Sequence, residues 1–341
     1  MHKLMWLMPN KKYNKTGIYK YNNELIKILK VNRNIDIKYC GSKNNYISTF
    51  LNKFFILPII LLLNSKKYDS IIYPEEGFAF LNLFSCSKEN KIFIHDYRFE
   101  FNNFNKISLK EYFKQIYLNV NFLFLNKFNK IIVPSKYTKK LLEFKFKKLK
   151  KKIFIVPNII DKKNYKTKKM NTKFYFLEKL KRKNKTLVLT IASNESRKNI
   201  KLVDKLSKID KNFVFILVGK HKSYNNSNIF IFNDLNDIEL SSLFNLSNIY
   251  LNTSLFEGFG RTSVEAQSFN LPVVCYDTKI NRETLANSAH YIKKHYSLKK
   301  IIYEMKKLRS LNRKKGKDFK NSKRFLPKNI LSKYKNNINE I

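Results

Sequence analysis

Cysteine is scarce in this sequence. Three cysteines, Cys40, Cys86 and Cys275, stand far apart in 341 residues, and none is part of a C-x-x-C pair. This spacing excludes a disulfide scaffold and a cysteine-based zinc site, and it suits a reducing compartment. We therefore expect a cytoplasmic protein.

Acidic residues are also few. The chain has 69 lysines and arginines against 25 aspartates and glutamates, a formal net charge of +44. Such an excess favours a polyanionic partner: nucleic acid, an anionic membrane or a phosphorylated ligand. Only nine of the basic residues are arginine, the residue best suited to forked recognition of phosphates and bases. The abundance of Lys, Asn, Ile, Phe and Tyr also follows from AT-rich codons. We expect no nucleic acid partner, but a basic surface that attracts anionic lipid on the inner face of the cytoplasmic membrane.

Long apolar runs are missing as well. The longest, Phe54–Leu63, has ten residues with Pro58 near its centre, and a helix needs about 20 to span a bilayer. This run predicts a buried helix, and a patch that dips into a membrane interface is the alternative. The N-terminal run Leu4–Met8 is too short for the core of a signal peptide.

Apolar and aromatic residues are plentiful, at 43% and 15% of the chain, which excludes a disordered protein. Strand-length apolar runs alternate with amphipathic stretches, a pattern typical of β-α-β units with buried parallel strands. A first series of predicted strands comprises Lys3–Met8, Ile35–Tyr39, Ser70–Tyr73, Lys91–Ile94, Lys130–Val133 and Ile153–Val156. After a basic, irregular stretch from about Asp161 to Lys185, a second series comprises Thr186–Ile191, Phe213–Val218, Ile229–Phe232, Asn248–Asn252 and Val273–Tyr276.

These two series predict an α/β fold with two doubly wound, Rossmann-like domains that face a central cleft. Ligands of open α/β sheets bind beyond the carboxyl ends of the strands, so the cleft is the expected site. We predict an N-terminal domain over residues 1–160, a basic linker over 161–185 and a C-terminal domain over 186–310. A helical tail over 311–341 is expected to pack back on the N-terminal domain.

Glycine is so rare, with seven residues in the chain, that its positions are informative. Gly258 and Gly260 fall in one window, E-G-F-G-R-T-S-V-E, between a predicted strand and an apparent helix. Glycine allows the backbone to approach a ligand closely, and the helix N-terminus suits a phosphate group. Glu257 and Glu265 frame the window, and both can point to one crevice, where carboxylates accept hydrogen bonds from sugar hydroxyls.

The stretch L-F-E-G-F-G-R-T-S-V-E-A-Q-S-F-N-L-P-V-V-C-Y-D resembles the signature of the retaining glycosyltransferases of the GT-B fold, family 4. Glu257 and Glu265 match the two glutamates of the family's E-x7-E motif. Pro272–Val274 and Asp277 match the strand that follows, and Glu283 matches the glutamate of the R-E-x-L stretch.

The resemblance extends over nearly the whole chain. The other similar stretches, in the family's order, are Gly17–Tyr21, Ile94–Asp96, Val133–Ser135, Val156–Asp161, Ile191–Asn199, Phe213–Gly219 and Asp237–Leu240. Where the family often has G-R after the first strand of its C-terminal domain, this chain has Ala192-Ser193. Arg197 and Lys198 are therefore expected to carry the charge that binds phosphate.

The resemblance implies transfer of a sugar from a nucleotide-sugar donor to an acceptor hydroxyl, with retention at the anomeric carbon. Arg197 and Lys198 are expected to hold the donor diphosphate. Glu257 is expected to bind the transferred sugar, Glu265 the ribose, and His95 to lie near the reacting centre. The C-terminal domain would bind the donor, and the N-terminal domain would lie on the acceptor side.

The resemblance implies further contacts to the donor from five residues: Gly17, Gly258, Phe259, Gly260 and Arg261. No D-x-D motif stands where a metal would be needed, so we expect neither a metal nor another cofactor. The expected acceptor is a glycan or a lipid-linked glycan of the kind used in lipopolysaccharide, O-antigen or capsule synthesis.

Three alternatives stay open. The first is another GT-B enzyme, such as an epimerase or a phosphorylase. The second is a basic nucleic-acid-binding protein, although no helix-turn-helix, RNA-recognition or zinc-finger pattern is present. The third is a catalytically inactive subunit, against which the intact E-x7-E motif argues.

Overall fold

The computed structural model describes residues 2–10, 16–41, 46–97, 108–161, 171–224, 226–309 and 317–341. The chain divides into two compact units. The first contains most of the N-terminal half together with Ile330–Ile341, and the second includes Ile160–Asn329.

A six-stranded parallel sheet organises the first unit. Its strands are β1 (Lys3–Met8), β2 (Asn34–Tyr39), β3 (Ser70–Tyr73), β4 (Glu89–Phe93), β5 (Lys130–Val133) and β6 (Ile153–Ile155). They lie in the order β2-β1-β3-β4-β5-β6. The chain thus winds outward in both directions from β1, as in a doubly wound fold.

The helices of the first unit connect these strands. They are α1 (Gly17–Leu29), α2 (Tyr46–Leu51), α3 (Leu57–Asn64), α4 (Leu109–Leu123) and α5 (Lys136–Lys145), with a 3-10 segment over Glu76–Phe84. Ser108 begins α4 with a capping box, in which its hydroxyl accepts from the N–H of Glu111 while the Glu111 carboxylate accepts from the N–H of Ser108.

The end of the chain packs against the first sheet. Asn337 Nδ2 donates to the carbonyl of Ile155 at 2.7 Å, and the buried Lys91 Nζ donates to the carbonyl of Ile341 at 3.0 Å. Since Lys91 lies on β4 and Ile155 on β6, the last residues of the chain are tied to two strands of this sheet.

A second six-stranded parallel sheet organises the other unit. Its strands are β7 (Thr186–Ile191), β8 (Phe213–Val218), β9 (Ile229–Phe232), β10 (Ile249–Asn252), β11 (Val273–Tyr276) and β12 (His290–Ile292). The spatial order is β12-β11-β10-β7-β8-β9. The strand order therefore reverses between β7 and β10, and this topological switch point is where open α/β sheets bind their ligands.

The remaining helices follow these strands or lead to the end of the chain. They are α6 (Tyr175–Arg182), α7 (Lys201–Ser207), α8 (Asp237–Leu246), α9 (Arg261–Ser268), α10 (Lys279–Leu285), α11 (Leu298–Arg309), α12 (Lys317–Ser322), α13 (Pro327–Lys333) and α14 (Lys335–Asn339). Asn236 caps α8 with a second capping box, in which Glu239 is the reciprocal partner.

The predicted α/β fold is confirmed, because each of the predicted strands is present within two residues of its expected bounds. All six residues of β8 are buried, as a strand covered on both faces requires. The short edge strand β12 was not predicted, since H-Y-I carries no apolar run. The stretch from Asp161 to Lys185, predicted to be irregular, contains α6; residues 162–170 lie outside the described part of the chain.

The prediction of a buried helix over Phe54–Leu63 is wrong in two respects. Residues Ile47–Lys67 form one continuous helix of 21 residues, here called the apolar helix. Only 17% of its most apolar 18 residues are buried. Among the described residues it is the one helix that is long and apolar enough to cross a membrane by length and composition.

The helix passes through Pro58 because the turn before it is widened. A helical proline lacks an N–H and its ring clashes with the carbonyl four residues earlier. In this chain a π-helical turn, Asn52–Ile56, precedes the proline, and the N–H of Leu57 bonds to the carbonyl of Asn52. The wider turn accommodates the ring, so two short helices join into one.

Candidate active site

A cluster of charged side chains lies at the switch point of the second sheet. Strands β7 and β10 are neighbours, with Val188 beside Ile249. The chain leaves β7 into a turn that holds Arg197 and Lys198, and it leaves β10 into the loop that holds Glu257. Because the carboxyl ends of parallel strands meet at one edge of a sheet, the two loops lie side by side.

Glu257 is the centre of this cluster. One carboxylate oxygen lies 2.5 Å from Lys198 Nζ, and the other lies 3.4 Å from Arg197 Nη1. Arg197 also donates from Nε to Glu195 Oε2 at 2.7 Å and from Nη1 to the carbonyl of Phe256 at 3.3 Å. The structure therefore brings together three of the residues that were predicted from the sequence as catalytic.

Backbone contacts fix the two loops against each other. The N–H of Leu255 donates to the carbonyl of Arg197 at 2.8 Å, and the Thr253 hydroxyl donates to the carbonyl of Lys198 at 2.5 Å. Asn199 ends the turn at φ 47°, in the left-handed region that Asn tolerates better than most residues. The backbone of the turn that carries the two cations is thus held by bonds that do not involve Glu257.

Burial and charge act against each other in this cluster. Burial on its own would raise the pKa of Glu257, but the charges of Lys198 and Arg197 outweigh it and hold the pKa below its ordinary value of 4.5. Burial lowers the pKa of Lys198, although the attraction of Glu257 opposes the shift. Glu257 is therefore a carboxylate at neutral pH, and it compensates part of the cost of burying two cations.

The glycine-rich window forms the turn into α9. Gly260 is the N-cap of the helix at φ 81° and ψ 45°, a left-handed conformation that glycine adopts without steric cost. Gly258 and Phe259 lie in the loop before it, and the ring of Phe259 packs edge-on against Phe325 at 5.1 Å. The backbone here leads to a helix N-terminus, whose partial positive charge suits an anion.

Arg261 and Glu265 form an ion pair within α9. Arg261 Nε donates to Glu265 Oε1 at 2.8 Å, and both side chains are buried. They are four residues apart, so they lie on one face of the helix. Both were predicted to bind the donor, and the structure shows that each is the partner of the other.

The other two predicted site residues lie in the first unit. His95 follows β4, and its Nε2 lies 2.8 Å from the carbonyl of Pro74. A carbonyl can only accept, so Nε2 carries the proton. Burial lowers the pKa of His95, which keeps the ring neutral at pH 7 with Nδ1 unprotonated. Gly17 is the first residue of α1, next to the capping residue Thr16.

Sequence reasoning missed the role of Glu195. It stands two residues before Arg197, and its carboxylate accepts a hydrogen bond from the Nε–H of that arginine. An acidic residue so close to a predicted phosphate-binding arginine is the signal that could have identified it. Within the part of the chain that the structure describes, no three His, Cys, Asp or Glu side chains are grouped so that they could hold a metal ion.

The charge cluster predicts a specific pH dependence of stability. Because the folded pKa of Glu257 is lowered, its contribution is present above its unfolded pKa and is lost as the pH falls through the folded pKa. Glu257→Gln leaves two buried cations without a carboxylate, so we expect it to lower the free energy of unfolding by about 3 kcal/mol at pH 7. The difference from wild type should shrink as the pH falls below about 4.5 and through the lowered pKa of Glu257. Urea unfolding at several pH values measures it.

The control is Glu178→Gln, which removes a carboxylate from an exposed pair with Arg182 at 3.1 Å. Exposed pairs contribute less than about 1 kcal/mol, so this variant should follow the wild type at every pH. A constant difference between Glu257→Gln and wild type across the range would contradict the account.

A family model and solved structures give consistent results. Residues 171–324 match the family described as glycosyl transferases group 1. Anabaena HepE in complex with UDP and glucose is similar in fold, with a TM-score of 0.74 and 15% identity over 100% of both chains. Sucrose-phosphate synthase from Thermosynechococcus elongatus has a TM-score of 0.74 and 10% identity over 100% of this chain and 99% of its own.

WaaG, a glycosyltransferase involved in lipopolysaccharide biosynthesis, has a TM-score of 0.69 and 12% identity over 99% of both chains. At these identities the solved structures establish the fold, while the family match concerns the unit that holds Glu257. No curated protein matches this chain in sequence. The chain has the GT-B fold, and its residues 171–324 match the family of glycosyl transferases group 1.

Proposed function

We propose that the protein transfers a sugar from a nucleotide-sugar donor to an acceptor hydroxyl, with retention at the anomeric carbon. The observation that carries this proposal is the cluster of Glu257, Arg197 and Lys198 at a switch point, beside the N-terminus of α9. A cation pair and a helix N-terminus fit a diphosphate, and a carboxylate fits sugar hydroxyls.

The reaction needs stabilisation of the leaving group. The bond from the anomeric carbon to the diphosphate oxygen breaks, and the bond to the acceptor oxygen forms. The hydroxyl proton of the acceptor goes to the departing diphosphate, which leaves as the nucleoside diphosphate. Negative charge grows on the diphosphate as the first bond lengthens, so cations fixed in advance lower the barrier. Lys198 and Arg197 supply that charge in mostly buried positions, where it is little screened by water.

Donor binding changes the partners of these cations in this proposal. The diphosphate oxygens take up Lys198 and Arg197, and the carboxylate of Glu257 becomes available to hydroxyls of the transferred sugar. Glu265 is the proposed acceptor for ribose hydroxyls, and its buried pair with Arg261 holds the carboxylate in position. Each carboxylate thus has a cation that positions it before the donor arrives.

The role of His95 near the reacting centre stays a prediction from the family resemblance, as does donor contact at Gly17. The neutral ring and the fixed Nε2 bond to Pro74 support a polar contact through Nδ1, which can accept a hydrogen bond from a hydroxyl. The variant His95→Ala removes this proposed contact through Nδ1.

We propose an acceptor from surface polysaccharide synthesis, a glycan or a lipid-linked glycan. Support comes from WaaG, which is similar over 99% of both chains and is involved in lipopolysaccharide biosynthesis. The UDP and UDP-glucose complexes of Anabaena HepE support a nucleotide-sugar donor. We also propose a cytoplasmic location, because the proposed donors are nucleotide sugars.

Variants at the charge cluster test the site assignment. Glu257→Gln and Lys198→Ala should each lower kcat/KM for sugar transfer by at least about 100-fold, since each removes a group that stabilises the donor in the transition state. Donors are screened first by product mass, and rates are then measured at a temperature where every variant is folded.

The control for this test is Lys208→Ala, in which an exposed lysine of the same unit loses its pair with Asp204. It should keep wild-type activity. If both cluster variants also keep near wild-type rates, the site assignment is wrong. Release of sugar by inorganic phosphate, or epimerisation of the donor, would identify another class of GT-B enzyme.

The proposed clamp of lysine and arginine needs no metal. Incubation with EDTA should therefore change the transfer rate by less than about twofold, because no Lewis acid is required to stabilise the diphosphate. The assay compares EDTA with added Mg²⁺ or Mn²⁺. A loss of more than about tenfold that Mg²⁺ restores would show that the cations of the chain do not suffice.

A further inference from the structure

Two helices of the first unit present apolar side chains to solvent. On the apolar helix, Ile47, Phe50, Phe55, Ile59, Leu62 and Leu63 are all more than half exposed. Most follow one another at spacings of three or four residues, so they form a stripe along the helix. A soluble surface rarely leaves so much contiguous apolar area uncovered.

Helix α4 carries a second stripe. Its exposed apolar residues are Leu109, Tyr112, Phe113, Ile116, Val120 and Leu123. Their spacings of three, one, three, four and three residues place them on one face of the helix. The opposite face packs inward through Asn121 and Phe122, which are buried. The exposed stripe is therefore not the side that holds α4 to its unit.

The two helices are neighbours. The ring of Phe54 lies 6.2 Å from that of Tyr117, and Lys53 Nζ lies over the Tyr117 ring at 5.3 Å. Both helices also contact the 3-10 segment between them: Phe54 stacks on Phe80 at 5.1 Å, and Tyr117 donates to the carbonyl of Gly77. We call the exposed stripes of the apolar helix and α4 together the two-helix surface.

The charges on the two-helix surface have one dominant sign. The apolar helix contains no Asp or Glu, and it ends in the exposed pair Lys66 and Lys67. On α4 the exposed Lys110 and Lys114 lie among the apolar residues. This combination of apolar stripes with flanking lysines matches an anionic bilayer, whose interior takes the apolar groups and whose headgroups attract the cations.

Two other arrangements fit less well. In the first, the apolar helix would span the membrane surrounded by lipid, but Leu57 and Leu61 are fully buried in the core of the unit. Its exposed side alone can enter a membrane, which places the helix in the plane of the interface. A second copy of the chain would bring together two molecules of net charge +44, and like charges oppose such an association.

We propose that the two-helix surface docks the protein on an anionic lipid bilayer, with the apolar helix and α4 lying in the interface. This inference goes beyond the proposed function, since it depends on neither donor nor acceptor. A failure of sugar transfer and a failure of docking are therefore separate results.

Flotation of the full chain with lipid vesicles tests the docking. Wild type should float with vesicles that contain phosphatidylglycerol and bind at least about tenfold more weakly to phosphatidylcholine alone. A rise in salt from 0.1 to 0.5 M should weaken binding several-fold without abolishing it, because salt screens the lysines and leaves the apolar contact. The triple variant Phe55→Gln, Ile59→Gln, Leu63→Gln should lose at least about tenfold in partitioning.

The matched control is Val31→Gln, Ile209→Gln, Ile238→Gln, which removes three exposed apolar side chains outside the two-helix surface. It should bind as wild type does. Equal binding of the triple variant and wild type, or absence of wild-type binding to anionic vesicles, overturns the proposal. A stable dimer in sedimentation equilibrium that the triple variant dissociates would assign the surface to a second copy instead.

A fluorescence probe tests the geometry without removing the stripe. The single tryptophan, Trp6, is fully buried, so Ile59→Trp adds one exposed reporter. On anionic vesicles its emission should shift to shorter wavelengths and be quenched by brominated lipid, whereas Ile238→Trp should show neither change. Retention of wild type in the vesicle pellet at alkaline carbonate pH would indicate a span and contradict interfacial docking.

Discussion

The contact of Glu257 with two cations is the interaction on which the proposed donor site depends. Lys198 and Arg197 come from the end of one strand and Glu257 from the end of its neighbour. Without the carboxylate, two positive side chains would lie mostly buried and close together, at a high cost in free energy. The sheet topology places the three groups at one edge, and the ion pairs with Glu257 stabilise the two cations there. In the proposed reaction the diphosphate replaces Glu257 as their partner.

The fold could be predicted from the sequence because parallel strands buried on both faces must be continuous apolar runs. The run F-V-F-I-L-V has apolar residues at every position, as a strand covered on both faces requires. Strand β8 occupies those six residues, and all six are buried. The failures have physical causes as well. His290–Ile292 pairs only at the edge of the sheet beside β11, so it needs no apolar run. The apolar helix was predicted to be buried because composition alone does not tell which face of a helix finds a partner.

The sequence does not predict how the candidate site residues contact one another. Spacing and family resemblance select Glu257, Arg197, Lys198 and Glu265, but they treat each as a separate contact to the donor. The structure adds that the carboxylates and cations are partners of one another, and that Glu195 shares Arg197. The pairing of Glu257 with Arg197 and Lys198 depends on how two loops meet in space, which a motif in one loop does not contain. The same holds for the two-helix surface, whose stripes end at Leu63 and begin again at Leu109.

A crystal structure with bound UDP or GDP tests the central claim most directly. The account predicts that the diphosphate oxygens lie within hydrogen-bond distance of Lys198 Nζ and the Arg197 guanidinium, next to the first turn of α9, with the ribose at Glu265. It also predicts that Lys198 turns away from Glu257 toward the phosphate. A nucleotide bound elsewhere, with the contact between Lys198 and Glu257 unchanged, would contradict it.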